Sequence, residues 1–99
     1  MNDDSALQTR RILVTGFVQG VGYRWSMVQQ AQGLGLTGWV RNLNNGSVEA
    51  LAQGNNEALA ALIAWARIGP QGAQVQHVHV ERLTQFEDLG THFIQIATA

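Results

Sequence analysis

The sequence predicts one small α+β domain in which two helices cover one face of an antiparallel sheet. Three observations lead to this class. Apolar residues alternate with a period of two over residues 10–17 and 74–83, as in half-buried strands. Apolar residues recur at helical spacing over residues 23–34 and 57–68. Between the two helical patterns, an Asn-Gly pair joins two further strand-like segments, which indicates a hairpin.

The composition limits the classes of protein that the chain can represent. Its 99 residues allow one domain, and a hydrophobic fraction of 45% is enough for a core. The absence of cysteine excludes disulfides, thiol nucleophiles and thiolate metal sites. A net charge of −1 argues against a non-specific nucleic-acid binder, which must contact many phosphates.

The start of the chain is polar and carries Asp3 and Asp4, unlike the basic and then apolar start of a signal peptide. We expect residues 1–9 to form a flexible tail and residues 10–99 to form the domain. No segment reaches the roughly 18 apolar residues of a membrane span. We therefore expect a cytoplasmic protein without a membrane partner. We also expect it to be a monomer.

The first strand is predicted over residues 10–17, with Ile12 and Val14 on one face. Three glycines mark the loop that follows. The helical pattern then begins at Tyr23 and runs to Leu34, where two flanking glycines allow a left-handed stop.

A hairpin is predicted next, with strands over residues 37–43 and 47–53. Its turn is Asn44-Asn45-Gly46, in which the Asn-Gly pair tolerates positive φ. Alternation places Val48 on one face of the returning strand and Glu49 on the other.

The second helix is predicted over residues 57–68, capped by Asn55 or Asn56 and ended by a Gly-Pro pair. A strand over residues 74–83 follows, in which alternation places Val75 and Val78 on opposite faces. A short last strand is predicted over residues 92–97. The order β-α-β-β-α-β plus a C-terminal strand is a split βαβ arrangement, which resembles the ferredoxin-like fold.

The loop between the first strand and the first helix contains the strongest candidate site. Gly16, Gly20 and Gly22 allow successive backbone N–H groups to turn inward and bind an anion. The start of the next helix adds free amides and a positive dipole end. Arg24 lies in the first turn of that helix, where a guanidinium can hold two phosphate oxygens. The alternative is a tight turn without a ligand, followed by a solvated arginine.

Asn42 is the second candidate, because it lies within a strand pattern just before a turn that already has two asparagines. The alternative is that Asn42 is itself a turn residue. In a split βαβ fold the end of this strand can approach the glycine-containing loop.

Two segments with correct internal spacing resemble the signatures of the acylphosphatase family. The first has an aliphatic residue followed by Gly16, Val18, Gln19, Gly20, Val21, Tyr23 and Arg24. The second has Gly38, Trp39, Val40, Arg41 and Asn42, followed by Gly46, Val48 and Gly54. Gly69-Pro70 with Ala73 and Val75 resembles the family's stretch after the second helix. The match covers residues 10–83, and the end of the chain fits the last strand of the family.

The resemblance implies hydrolysis of acyl phosphates to a carboxylate and inorganic phosphate. It implies that Arg24 binds the phosphate and that Asn42 positions the attacking water for in-line attack. The residues of the implied phosphate-binding loop are Val18, Gln19, Gly20, Val21, Gly22, Tyr23 and Arg24. The expected substrate is a small acyl phosphate, with inorganic phosphate as product and inhibitor, and with neither cofactor nor metal. The leaving carboxylate needs no proton, so a site without a general acid is chemically sufficient.

Two departures from the family pattern lie in the loop. Phe17 stands where a basic residue is common, which weakens the expected phosphate affinity. Tyr23 stands where phenylalanine is frequent, and we expect its hydroxyl to lie near the phosphate that this loop binds. We also expect Trp39 and Trp65 to pack, and Trp25 to be partly exposed near the cradle.

Other functions are weighed against this one. His77 and His79 share a strand face, and His92 lies far along the chain, but no further metal ligand accompanies them. An RNA-binding split βαβ domain needs aromatic residues on its central strands, whereas aliphatic residues stand there in this chain. An accessory domain of a carbamoyl-transfer enzyme carries further domains, which we do not expect in this chain. An inactive binding remnant conflicts with the presence of both Arg24 and Asn42.

Overall fold

A computed structural model describes residues 6–84 and 88–99 of the chain. Over these ranges the chain forms the predicted order of strands and helices. The elements are β1 (Gln8–Phe17), α1 (Tyr23–Gly33), β2 (Thr37–Asn42), β3 (Val48–Gly54), α2 (Asn56–Ala66), β4 (Gln74–Leu83) and β5 (Phe93–Gln95). Among the described residues, no helix is long and apolar enough to cross a bilayer.

The described strands form a mixed sheet in the order β4-β1-β3-β2-β5. The β1–β3, β1–β4 and β2–β3 pairs are antiparallel, as the sequence predicts. The β5 strand pairs in parallel with β2, with Gly38 beside Phe93 and Val40 beside Gln95. The four strands of the split βαβ unit therefore form the predicted antiparallel sheet, and the C-terminal strand adds to its edge in the parallel direction. Hydrophobic alternation specifies which face of a strand is buried and carries no information about its direction.

Strand β1 begins at Gln8, two residues earlier than the sequence predicts. Thr9 is buried and pairs with Gln53 of β3 and Leu83 of β4. Gln8 and Thr9 therefore belong to the sheet and not to an N-terminal tail. Residues 1–5 of the predicted tail lie outside the described residues.

The core lies between the two helices and one face of the sheet. Helix α2 is capped by Asn55, whose side-chain Oδ1 accepts a hydrogen bond of 2.8 Å from the Ala58 amide. Leu59 and Leu62 of this helix are buried against the sheet. Sheet and helix residues that are fully or almost fully buried in this core are Ile12, Val14, Met27, Ala31, Val40, Val48, Ala50, Ala52, Ala66 and Phe93. The core matches the alternation and helical spacing of the sequence.

A charge network occupies the sheet face opposite the helices. Glu49 receives hydrogen bonds of 2.7 Å from Arg11 and from Arg41, and its side chain is only 8% exposed. Burial by itself raises the pKa of the Glu49 carboxyl. The hydrogen bonds and the positive charges of the two arginines together outweigh that effect, so the pKa lies below its ordinary value. This network joins β1, β3 and β2.

The hairpin turn forms at the predicted residues, with a different geometry from a two-residue Asn-Gly turn. Gly46 has φ +94°, and its amide donates to the Leu43 carbonyl at 3.1 Å. Asn45 keeps a negative φ, and its side chain accepts a hydrogen bond of 3.0 Å from the Ser47 amide. Since the asparagine side chain fixes the turn, positive φ is needed only at the glycine.

Candidate active site

The loop that leaves β1 begins with an irregularity in strand pairing. Thr15 pairs with His77, but Gly16 pairs with Val75, so the register shifts by one residue. Gly16 has φ +122°, and a Cβ atom there would lie 2.2 Å from the Gln74 carbonyl oxygen. Glycine is therefore required at this bulge. The bulge also turns Val75 toward the core, which corrects the prediction that Val75 and Val78 lie on opposite faces.

The predicted phosphate-binding loop has the backbone conformation that its glycines allow. Gly20 and Gly22 both have φ +78°, and apart from the adjacent residues no described heavy atom lies within 4 Å of the Cβ position at either glycine. Gly22 is the N-cap of α1 and provides no side-chain cap to the first-turn amides. Those amides consequently remain available to an anion.

Arg24 lies in the first turn of α1, and its side chain is partly exposed. Within the described part of the chain, its guanidinium makes no ion pair or hydrogen bond. An arginine that is neither neutralised nor held by protein groups is free to bind an anionic ligand. This contrasts with Arg11 and Arg41, which are both occupied by Glu49.

A cleft of about 160 Å³ brings these features together. From the predicted loop, Val18, Gly20, Gly22, Tyr23 and Arg24 line it. Trp25 of α1 and Gln95 of β5 complete the lining. Trp25 is 64% exposed, which confirms that its side chain is partly exposed.

Asn42 is the last residue of β2 and does not itself line this cleft. Strand alternation places Asn42 on the face of Val40, which is the face that the helices cover. Its side-chain Oδ1 is buried and has no hydrogen-bond partner among the described residues. A buried acceptor without a donor is costly, and such atoms mark sites where a water or ligand supplies the missing hydrogen bond.

The side chain of Gln19 connects the loop to the strand end that carries Asn42. Its Nε2 donates hydrogen bonds of 2.8 Å to the carbonyls of Leu43 and Ser47. Leu43 directly follows Asn42, so these bonds fix the loop relative to the end of β2. Sequence reasoning assigned only the Gln19 backbone to the site. Gln19 carries the one polar side chain between Phe17 and Gly22, and this was the available signal for a side-chain role.

The C-terminal segment passes along the other side of β2. Ile96 donates to the Val40 carbonyl at 2.9 Å, and Ala99 donates to the Asn42 carbonyl at 3.1 Å. Backbone hydrogen bonding to β2 therefore extends beyond the three residues of β5 and past residue 97, where the predicted strand ends. Gln95 enters the cleft through this parallel pairing, and no local pattern in the sequence indicates it.

Tyr23 lies differently from the prediction. It is almost fully buried, and its hydroxyl donates a hydrogen bond of 2.7 Å to the Ala66 carbonyl at the end of α2. Burial raises the pKa of this hydroxyl. Its ring packs against Trp65 at a centroid distance of 5.2 Å, which confirms that Trp65 packs. The expected hydroxyl near the phosphate cradle is therefore wrong, because the ring directs it into the space between the helices.

The remaining polar candidates do not form a second site. His77 and His79 are exposed on β4, and His92 is exposed before β5. Within residues 6–84 and 88–99, no group of three or more His, Asp or Glu side chains is positioned to hold a metal ion. Trp39 lies on the sheet face opposite the helices, with the Arg41 guanidinium 4.7 Å from its ring centroid.

Comparison with known proteins identifies the family. The acylphosphatase family model matches residues 10–94. An acylphosphatase of Bifidobacterium longum is 43% identical over 93 residues, which cover 94% of this chain and 96% of the relative. The solved acylphosphatase of Coxiella burnetii superposes with a TM-score of 0.85 at 34% identity, covering 91% of this chain and 93% of that one. The acylphosphatase of Bacillus subtilis gives a TM-score of 0.86 at 33% identity, over 92% of this chain and 99% of that one. The chain therefore belongs to the acylphosphatase family.

Proposed function

We propose that this acylphosphatase binds the phosphoryl group of its substrate between Arg24 and the backbone amides of the Gly20–Gly22 turn. One observation carries the proposal. The guanidinium of Arg24, which has no partner among the described residues, shares a small cleft with two left-handed glycines at the start of α1. Charge, free amides and a positive helix end therefore act on the same volume.

Binding in this cleft stabilises the charge of the reacting phosphoryl group. Phosphoryl transfer depends mainly on positioning and electrostatic stabilisation, and requires little covalent participation by the protein. Arg24 can hold two non-bridging oxygens at once, while the loop amides donate to the others. The fixed backbone of the loop provides these donors without reorganisation during the reaction.

Asn42 is proposed to position the attacking water. Its Oδ1, which has no partner within residues 6–84 and 88–99, accepts a hydrogen bond from that water and so orients the water oxygen toward phosphorus. The water oxygen forms a bond to phosphorus as the bond to the carboxylate oxygen breaks in line with it. An amide is no base at neutral pH, so the proton of the water passes to a non-bridging phosphate oxygen. The carboxylate leaves without a proton, and the products are a carboxylate and inorganic phosphate.

This chemistry proceeds without a metal, because the leaving group is already a stable anion and the phosphoryl charge is met by Arg24 and amides. Inorganic phosphate fits the same cradle as the substrate's phosphoryl group and is proposed to inhibit competitively. The active form is proposed to be a monomer, in which Arg24, the loop amides and Asn42 belong to the same chain.

The test is hydrolysis of benzoyl phosphate in excess chelator by the wild type, Arg24→Ala and Asn42→Ala. Turnover by the wild type should survive chelation. Arg24→Ala should lose turnover and phosphate inhibition, and Asn42→Ala should lose kcat by about 100-fold or more while retaining phosphate inhibition. Arg67→Ala is the matched control, because Arg67 is an exposed arginine outside the cleft. Phosphate inhibition that persists in Arg24→Ala, or a pure KM effect in Asn42→Ala, would contradict the assigned roles.

A further inference from the structure

We infer that Trp25 forms the binding wall for the acyl group and makes the enzyme prefer aromatic or bulky apolar acyl phosphates over small ones. This inference rests on the proposed binding of phosphate by Arg24. It concerns the part of the substrate that the cradle does not hold.

Trp25 is the residue that directly follows Arg24 in the first turn of α1. It lines the same cleft as Arg24 and Gly22. Nevertheless 64% of its surface is exposed to solvent. The described residues form one aromatic contact, between Tyr23 and Trp65, and one cation–π contact, between Arg41 and Trp39. The ring of Trp25 takes part in neither. A large aromatic surface thus remains free at the edge of the anion site.

The size of the cleft places the acyl group against this surface. Sites that enclose a drug-sized ligand measure roughly 300–1,000 Å³. The cleft here, at about 160 Å³, has room for a group such as phosphoryl. A volume of this size holds about one benzene ring, so with the phosphoryl group bound beside Arg24 a bulky acyl group such as benzoyl extends to the rim of the cleft. The exposed side chains of the lining, those of Trp25 and Gln95, lie there.

The two rim residues recognise different features of an acyl group. The amide of Gln95 can donate a hydrogen bond to the acyl carbonyl oxygen, which every acyl phosphate has. Gln95 therefore does not distinguish one acyl group from another. The indole of Trp25 presents an apolar face that stacks on a phenyl ring and offers little to a methyl group. A stacked aromatic pair changes an affinity by up to about tenfold beyond the burial of area.

The experiment compares kcat/KM for benzoyl phosphate and acetyl phosphate in four proteins. The ratio of the two values should fall about tenfold in Trp25→Ala relative to the wild type. Trp25→Phe should retain most of the ratio, because it keeps an aromatic face. Phe17→Ala is the control, since Phe17 is 60% exposed at the end of β1 and is absent from the cleft lining. This control should keep the wild-type ratio.

A second measurement separates this inference from the proposed function. Binding of phenylphosphonate and methylphosphonate, followed by calorimetry, tests the wall without turnover. The proposed function is overturned if the wild type hydrolyses neither acyl phosphate. The wall is nonetheless supported if that wild type binds phenylphosphonate more tightly than methylphosphonate and Trp25→Ala does not. A wild type that is active, with a substrate ratio unchanged within twofold in Trp25→Ala, overturns the wall and leaves the phosphate site standing.

Discussion

Replacing Asn42 by alanine is expected to stabilise the fold while removing most of the activity. The Oδ1 atom of Asn42 is buried and lacks a donor within the described residues. A buried unsatisfied acceptor costs about 1–3 kcal/mol, and alanine at this position removes the acceptor. The shorter side chain also packs less well against its neighbours, which offsets part of that gain. We expect the free energy of unfolding to rise by about 1 kcal/mol, which raises Tm by about 4–8 °C in a domain of this size.

The control is a second asparagine of the same hairpin whose side chain is satisfied. The Oδ1 atom of Asn45 accepts from the Ser47 amide at 3.0 Å. Asn45→Ala should therefore lower the free energy of unfolding by about 1 kcal/mol while keeping kcat within a few-fold of the wild type. Urea unfolding followed by tryptophan fluorescence gives the stabilities, and benzoyl phosphate turnover gives kcat.

Opposite signs of the stability change in the two variants are the decisive result. A decrease of about 1 kcal/mol or more in Asn42→Ala would show that Oδ1 has a donor in the folded enzyme without substrate. The prediction of a stabilised variant would then be wrong, and a water already bound at Oδ1 in the free enzyme would account for the decrease. A stable but fully active Asn42→Ala would remove Asn42 from the mechanism.

Three further predictions follow from contacts in the sheet and the loop. The lowered folded-state pKa of Glu49 stabilises the fold at neutral pH. As the pH falls below the ordinary pKa of 4.5, protonation of Glu49 begins to remove that stabilisation. Acid unfolding should therefore be steeper in the wild type than in Glu49→Gln between about pH 5 and 2, and equal slopes would contradict this. Gly16→Ala should lose at least about 2 kcal/mol in urea unfolding, because its Cβ would meet the Gln74 carbonyl and its φ is +122°. Gln19→Leu should lose only about 1 kcal/mol, since the Leu43 and Ser47 carbonyls each keep a backbone donor. Its kcat should nonetheless fall about tenfold, because the loop is no longer fixed to the end of β2. An unchanged kcat would show that the backbone alone holds the loop.

The parts of the fold that depend on local patterns were predictable from the sequence. The glycines of the loop, the Asn55 cap and the alternation of β3 each express a local steric or hydrogen-bonding requirement. The order of the elements follows from these patterns, because each change of hydrophobic period marks a new helix or strand. The same patterns indicated Arg24 and its helix start.

Features that depend on pairing between distant segments were not predictable in this way. Period-two alternation assigns Val75 to the outer face, but the bulge at Gly16 reverses that assignment. The hydroxyl of Tyr23 reaches the Ala66 carbonyl only because α1 and α2 pack side by side. Gln95 enters the cleft through a parallel pairing at the edge of the sheet, which no spacing within the segment specifies.

The edge position of β5 has a consequence for the dynamics of the enzyme. This strand has three residues and forms the outer edge of the sheet beside β2. Short edge segments open locally at a lower free energy than the whole domain unfolds. Such an opening takes Gln95 away from the cleft and leaves most of the core in place. The amides of Ile96 and Ala99 should thus exchange with solvent faster than those of β1 and β3. In rising denaturant, turnover should decline before the far-UV circular dichroism of the sheet and helices changes.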